Sequence, residues 1–164
     1  MKTLIILLLT LLFPIFAIGE PLDDLVEREG IHYKKFSDVP FAGKTTGFMQ
    51  GSFKNGKKDG PWVKYWLNGQ LAFKTNWKDD KRVASVSYHD NGQLWEKPSY
   101  QDGKLDGLWV SYHDNGQLLF KGIYKDGELG PWTSFHADGT IRSCGNGVVW
   151  ESCPGTFKNG VKVE

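Results

Sequence analysis

Three histidines, His89, His113 and His136, recur at intervals of 24 and 23 residues, each directly behind a tyrosine or phenylalanine. Imidazoles at fixed spacing are the side chains from which a zinc ladder would be built. Distance excludes it. Equivalent positions in side-by-side hairpins lie two strands apart, roughly 9–10 Å. Nitrogens sharing one zinc ion lie only ~3–4 Å apart, because each metal–nitrogen bond is ~2 Å. The three histidines are therefore expected as a solvent-facing row, with His32 isolated from them. The carboxylates Asp59, Asp102, Asp106 and Asp126 stand in or beside turns, where Asp is favoured for backbone reasons. A glycosidase would need two of them about 5–10 Å apart across a sugar-binding cleft, and the sequence marks no such cleft. No Gly-x-Ser-x-Gly elbow, His-Glu-x-x-His or phosphate loop occurs. The chain reads as non-enzymatic, with no catalytic residue, no metal and no cofactor.

Those spacings come from a repeat. Tyr88–Leu94 and Tyr112–Leu118 are identical, Tyr-His-Asp-Asn-Gly-Gln-Leu. Asn68-Gly69-Gln70-Leu71, Asn91-Gly92-Gln93-Leu94, Asn115-Gly116-Gln117-Leu118 and Asp138-Gly139-Thr140-Ile141 follow one another at 23, 24 and 23 residues. A fixed period in the range of about 20–50 residues marks a repeat array. Each unit holds a second turn signal as well: Asn55-Gly56, Asp102-Gly103, Asp126-Gly127 or Asn159-Gly160. Asn-Gly and Asp-Gly suit type I′ hairpin turns, whose central residues both need positive φ. Between the turns lie runs such as Trp62–Trp66, Trp109–His113 and Trp132–His136, too short for helices and of strand composition. The expected fold is all-β, an elongated antiparallel β-meander of stacked hairpins.

Aromatics fill the same place in every unit. Phe53, Trp77, Tyr100 and Tyr124 precede the second turn at spacings of 24, 23 and 24, and Phe157 precedes Asn159-Gly160. One hairpin has too little apolar surface to be stable, so stacking must supply the core. Strand alternation sorts Val63, Tyr65, Val86, Tyr88, Val110 and Tyr112 from Trp62, Trp109 and Trp132. With the Val/Tyr set buried, the Trp set is expected as a partly exposed row. Trp62, Trp66, Trp109 and Trp132 are the candidate binding residues, since Trp is a frequent interface anchor.

Residues 1–19 stand apart from this pattern. Lys2, the apolar run Leu4–Phe16 and the small-x-small Ala17-Ile18-Gly19 make a signal peptide, with cleavage expected between Gly19 and Glu20. The chain is therefore expected to be secreted or periplasmic. Without Lys2, 19 basic and 19 acidic side chains balance and are interspersed. That excludes nucleic acid and strong attraction to an anionic membrane surface. Cys144 and Cys153 are expected to form a disulfide in an oxidising compartment. Its ring of 10 residues corresponds to roughly 2–3 kcal/mol in the chain-entropy account.

The organisation follows. Residues 20–50 form an N-terminal capping segment with a short helix at Leu22–Glu29 and a degenerate hairpin, Ile31–Phe36 against Phe41–Phe48. Residues 51–141 hold about four repeats. Residues 142–164 hold a Cys-containing insert and a truncated repeat. The motif Gly-x-Phe-Lys-Asn-Gly-Lys-Lys-Asp-Gly-Pro-Trp-x-x-Tyr at Gly51–Tyr65, followed by Asn-Gly-Gln-Leu, resembles the bacterial variant of the MORN repeat. The resemblance implies a twisted antiparallel sheet of successive hairpins, and YwqK-like antitoxins are among the proteins that carry it. The unit over Thr75–Leu94 departs most, with Asp79-Asp80 at the turn and no Trp at the Trp62 position.

Function is thus expected to be that of an exported, protein- or envelope-interaction scaffold. An antitoxin- or immunity-type protein and a carbohydrate-binding module using the aromatic row are the alternatives. Intact mass of the protein from its native cells tests the export reading. The expected species starts at Glu20 and gains the mass of one pair of hydrogens on reduction; a full-length species with free thiols contradicts both parts.

Overall fold

The computed structural model describes residues 19–145, 156–158 and 161–163. The first strands are β1 Glu20–Pro21, β2 Leu25–Arg28, β3 Ile31–Lys34, β4 Gly43–Thr46 and β5 Met49–Gln50. The array continues with β6 Ser52–Lys54, β7 Lys57–Lys58, β8 Gly60–Tyr65, β9 Leu71–Lys78 and β10 Lys81–Tyr88. Then come β11 Leu94–Lys97, β12 Tyr100–Gln101, β13 Lys104–Leu105, β14 Gly107–Tyr112, β15 Leu118–Lys125, β16 Glu128–Phe135 and β17 Ile141–Gly145. A last hairpin pairs β18 Thr156–Lys158 with β19 Val161–Val163. Nine strands form one antiparallel sheet in the order β17-β16-β15-β14-β11-β10-β9-β8-β5. Apart from the breaks in chain number, neighbours in sequence are neighbours in space: the meander is real.

The two turn series differ in kind. Asn55-Gly56, Asp102-Gly103 and Asp126-Gly127 have positive φ at both residues, as does Asp79-Asp80. These are the type I′ geometry expected from the sequence. In the other series only Gly69, Gly92, Gly116 and Gly139 have positive φ. There the loop is longer: Trp66 N donates to Gln70 O and Gly69 N to Trp66 O, and the pattern recurs in the next three units. The sheet register shifts at Lys64/Tyr65, Ser87/Tyr88, Ser111/Tyr112 and Ser134/Phe135, beside each of these loops. A type I turn with a left-handed glycine and a bulge replaces the expected type I′ turn.

The N-terminal segment also departs from expectation. Leu22–Asp24 is one 3₁₀ turn, and Leu25–Arg28 is a strand instead of helix. Its partner is β3, across Glu29-Gly30, both at positive φ. β4 pairs in parallel with β1 and antiparallel with β6, and of the expected pairing of Ile31–Phe36 with Phe41–Phe48 there remain one antiparallel bridge, Tyr33 with Pro40, and the hydrogen bond from Phe41 N to His32 O. The physical reason is a second tight turn that the sequence hides, since Glu29 occupies a position usually filled by Asn or Asp.

The four-stranded sheet β1-β4-β6-β7 builds the core over the first strands of the long sheet. Phe41, Phe53 and Trp62 are its buried residues, with Leu22, Leu25, Met49 and Trp77 packed around them. Phe53 meets Trp62 edge-on at 5.0 Å and Phe41 at 5.7 Å between ring centroids, a favoured aromatic arrangement. Gly51 is required here, because a Cβ at that position would overlap the Trp62 indole. Trp62 Nε1 donates to Ser52 O at 3.2 Å. The face carrying Trp62 is thus the buried one at this end, the reverse of the expectation. Trp62 is 1% exposed.

Exchange of Trp62 for Ala should cost about 3–5 kcal/mol of stability, the range for removing a fully buried large aromatic. Trp66→Ala should cost under about 1 kcal/mol, because its ring lies at the surface and loses one hydrogen bond. Urea denaturation of both variants checks the assignment. Equal losses would contradict it.

Candidate functional site

At the loops on one end of the strands, the repeat places three rings and three asparagines that link successive units. Trp66 Nε1 donates to Tyr88 O at 3.1 Å, His89 Nε2 to Tyr112 O at 2.9 Å and His113 Nε2 to Phe135 O at 3.1 Å. A carbonyl only accepts, so both imidazoles carry a proton on Nε2. Two residues further on, Asn68, Asn91 and Asn115 each donate Nδ2–H to Asp90 O, Asp114 O and Ala137 O, at 2.7, 2.7 and 2.9 Å. Each Asn Oδ1 accepts in turn from the backbone N of Gln70, Gln93 or Gln117, at 3.0, 2.9 and 3.0 Å. His89 and His113 are therefore part-buried rungs between units, and the expected solvent-facing row holds only for His136. The spacing that excludes a shared metal is the gap these rings bridge.

The opposite end of the strands is tied by charge. Lys78 Nζ lies 2.8 Å from Asp59 Oδ2, and Lys125 Nζ lies 2.8 Å from Asp106 Oδ2. The lysine hydrogen bond holds each carboxyl below the usual carboxylate value, and each lysine is raised in return. Asp106 also accepts from Asp126 N at 3.2 Å. These aspartates join neighbouring units through their lysines.

The four candidate tryptophans separate. Trp62 is core and closed to a partner, which corrects its place in the expected exposed row. Trp109 packs against Tyr124 at 5.3 Å and Phe120 at 5.8 Å, and Phe120 stacks on Trp132 at 6.0 Å. Burial pushes the Tyr124 phenol up. Trp109 Nε1 is buried and finds no hydrogen-bond partner among the described residues. Trp109 and Trp132 are half-buried. Cys144 is buried at the end of the same sheet and is not free; its expected partner Cys153 lies outside the described residues, as do residues 1–18.

Trp66 alone of the four stands in an exposed cluster. Phe48 (74% exposed), Tyr65 (42%), Trp66 (38%) and Leu67 (93%) surround a hollow of about 360 Å³ with Gly47 and Gly69. Nothing in the repeat pattern pointed to Phe48 or Leu67. The available signal was a departure: Tyr-Trp-Leu at residues 65–67 replaces the Tyr-His-Asp of residues 88–90 and 112–114. A second hollow, of about 270 Å³, lies on the Trp62 face between Lys58, Trp77, Arg82 and Glu96. Lys58 sits over Trp77 at 4.9 Å and over Trp62 at 5.2 Å, and Arg82 over Trp77 at 5.2 Å. Its cations are spent on packing against the rings. Among the described residues no group of three His, Cys, Asp or Glu could hold a metal ion.

Comparison with known proteins agrees with this construction. Residues 58–79 and 105–126 match the family model described as the MORN repeat variant. The chain carries MORN-variant repeats at these two places. Both matched segments run from the strand before the Trp, through the Asn-Gly loop, to the next type I′ turn. Residues 80–104 between them, which hold most of the eroded unit, are unmatched. No curated protein matches the chain. A chain of the GtfA/B complex bound to UDP and GlcNAc is similar over 74% of this chain and 28% of its own length, at 12% identity and a TM-score of 0.22. Likeness at that level carries no argument.

Proposed function

We propose that the chain is an exported, non-enzymatic protein-interaction scaffold, and that the cluster Phe48, Tyr65, Trp66 and Leu67 is its docking surface. The observation that carries this reading is the exposure of four large apolar side chains at one spot. Monomeric proteins seldom leave such groups together in water without a partner. Trp and Tyr are common anchors of protein interfaces, because they bury much area for little lost rotamer freedom. MORN repeats generally serve protein and membrane interactions. The balanced, interspersed charge of the chain favours a protein over an anionic bilayer.

Export rests on Lys2, Leu4–Phe16 and Ala17-Ile18-Gly19. Cleavage before Glu20 would leave every described strand intact, since β1 begins at Glu20. The partner then lies in the envelope or outside the cell, as another protein or an envelope component. A disulfide between Cys144 and Cys153 fits that compartment.

The test pairs capture with mutation. Protein bearing Phe48→Ser and Leu67→Ser together should keep wild-type stability and lose partner capture from its native cells by about tenfold or more, the scale of losing an interface anchor. Undiminished capture would sink the docking surface. A captured toxin whose lethality the chain relieves would select the antitoxin reading. Retention on polysaccharide that survives removal of all protein would select the carbohydrate reading.

A further inference from the structure

The turn ladder has two ends, and they are unlike. Inside the array every loop both receives and gives. The carbonyls of Tyr88 and Asp90, Tyr112 and Asp114, and Phe135 and Ala137 each accept from an aromatic ring N–H and an Asn amide of the preceding unit. The first loop gives to the second but receives from no side chain among the described residues. Tyr65 O and Leu67 O are the equivalent acceptors. This open rung lies in the exposed cluster of Phe48, Tyr65, Trp66 and Leu67.

The last loop is built differently. His136 holds the place of His89 and His113, and Asp138 that of the three asparagines. Asp138 Oδ1 accepts from Thr140 N at 2.9 Å and from Thr140 Oγ1 at 2.6 Å. Those bonds hold its carboxyl below the usual carboxylate value, so at neutral pH it has no proton to give. An ionised Asp brought beside Leu67 O would meet an acceptor with an acceptor. The giving end of this chain is therefore incompatible with its own receiving end.

We propose that the open rung at Tyr65 O and Leu67 O, with Phe48 and Trp66 beside it, is a docking site for a repeat turn of another protein. That turn would carry Asn-Gly preceded two residues earlier by His or Trp, and Asp138 keeps copies of this chain from docking there on one another. The occupant is defined by the three rungs already present. Its Asn amide would reach Leu67 O and its ring N–H would reach Tyr65 O, as Asn68 and Trp66 reach Asp90 O and Tyr88 O one unit on. Apolar contact is supplied at this rung alone, because Trp66 and Leu67 stand where inner units have His and Asp. The proposal rests on the reading of this cluster as a protein-interaction surface and names what that surface holds.

Two probes test it. Asp138→Asn restores the missing amide at an exposed loop and keeps the oxygen that Thr140 N needs. Sedimentation equilibrium should show that this variant self-associates with rising concentration where the wild type does not. Phe48→Ser with Leu67→Ser in the same chain should abolish the association. The second probe is the labelled full chain carrying Asp138→Asn together with Phe48→Ser and Leu67→Ser, which can give but not receive. It should bind the wild-type protein saturably, and the same chain without the Asp138→Asn exchange should bind about tenfold more weakly, the scale of one lost interface anchor. Failure of both probes overturns the proposal, as does association that the Phe48 and Leu67 exchanges leave intact. If both probes fail while those exchanges still abolish capture of the natural partner, the repeat-turn occupant is wrong and the docking surface stands.

Discussion

One side-chain amide, repeated, sets the spacing of this molecule. Asn68, Asn91 and Asn115 each close their own loop by accepting a backbone N–H and tie it to the next loop by donating to a carbonyl. The two bonds work together only if the accepting carbonyl of the following unit lies 22 or 23 residues later, with its loop in the same conformation. Sheet hydrogen bonds alone tolerate a slip along the strand. The Asn rung does not, because a slipped neighbour would offer no carbonyl within reach. The glycine that follows each Asn completes the requirement: its positive φ makes the bulged loop, and the bulge presents that carbonyl.

Burial is uneven along the array, and this follows from the same arrangement. A single sheet has two faces and no interior. At the N-terminal end the small sheet covers one face and produces the Phe41, Phe53 and Trp62 core. Further along, the Trp face packs rings against rings: Tyr124, Trp109, Phe120 and Trp132. Small hydroxyls fill the gaps between, with Thr75 bonded to Ser85 at 3.0 Å and Ser134 to Ser143 at 2.6 Å. Cohesion beyond the first units comes mainly from neighbour-to-neighbour contact, as in other repeat proteins.

Much of this was legible in the residues. The period, the turns and the aromatic ladder specify an antiparallel meander, because Asn-Gly and Asp-Gly leave the backbone few choices. What stayed hidden depended on neighbours outside the local pattern. The face of Trp62 could not be read from alternation, since a bulge beside each loop resets which way side chains point. Nor could the histidines be placed, because their carbonyl partners sit 22 or 23 residues away and reveal nothing of themselves in sequence. Glu29-Gly30 concealed a hairpin, and so turned an expected helix into β2. The exposed cluster was visible only as Trp66 and Leu67 breaking the Tyr-His-Asp pattern, while Phe48 joined it through the fold.

The central claim is that the Asn rung, though on the surface, fixes unit to unit. Urea denaturation of Asn91→Ala and Asn115→Ala tests it most directly. Each replacement removes two hydrogen bonds, so the account predicts a loss of about 1–2 kcal/mol in either variant. Losses within about 0.5 kcal/mol of wild type, the usual result for exposed positions, would contradict it and leave the stacking to strand pairing alone.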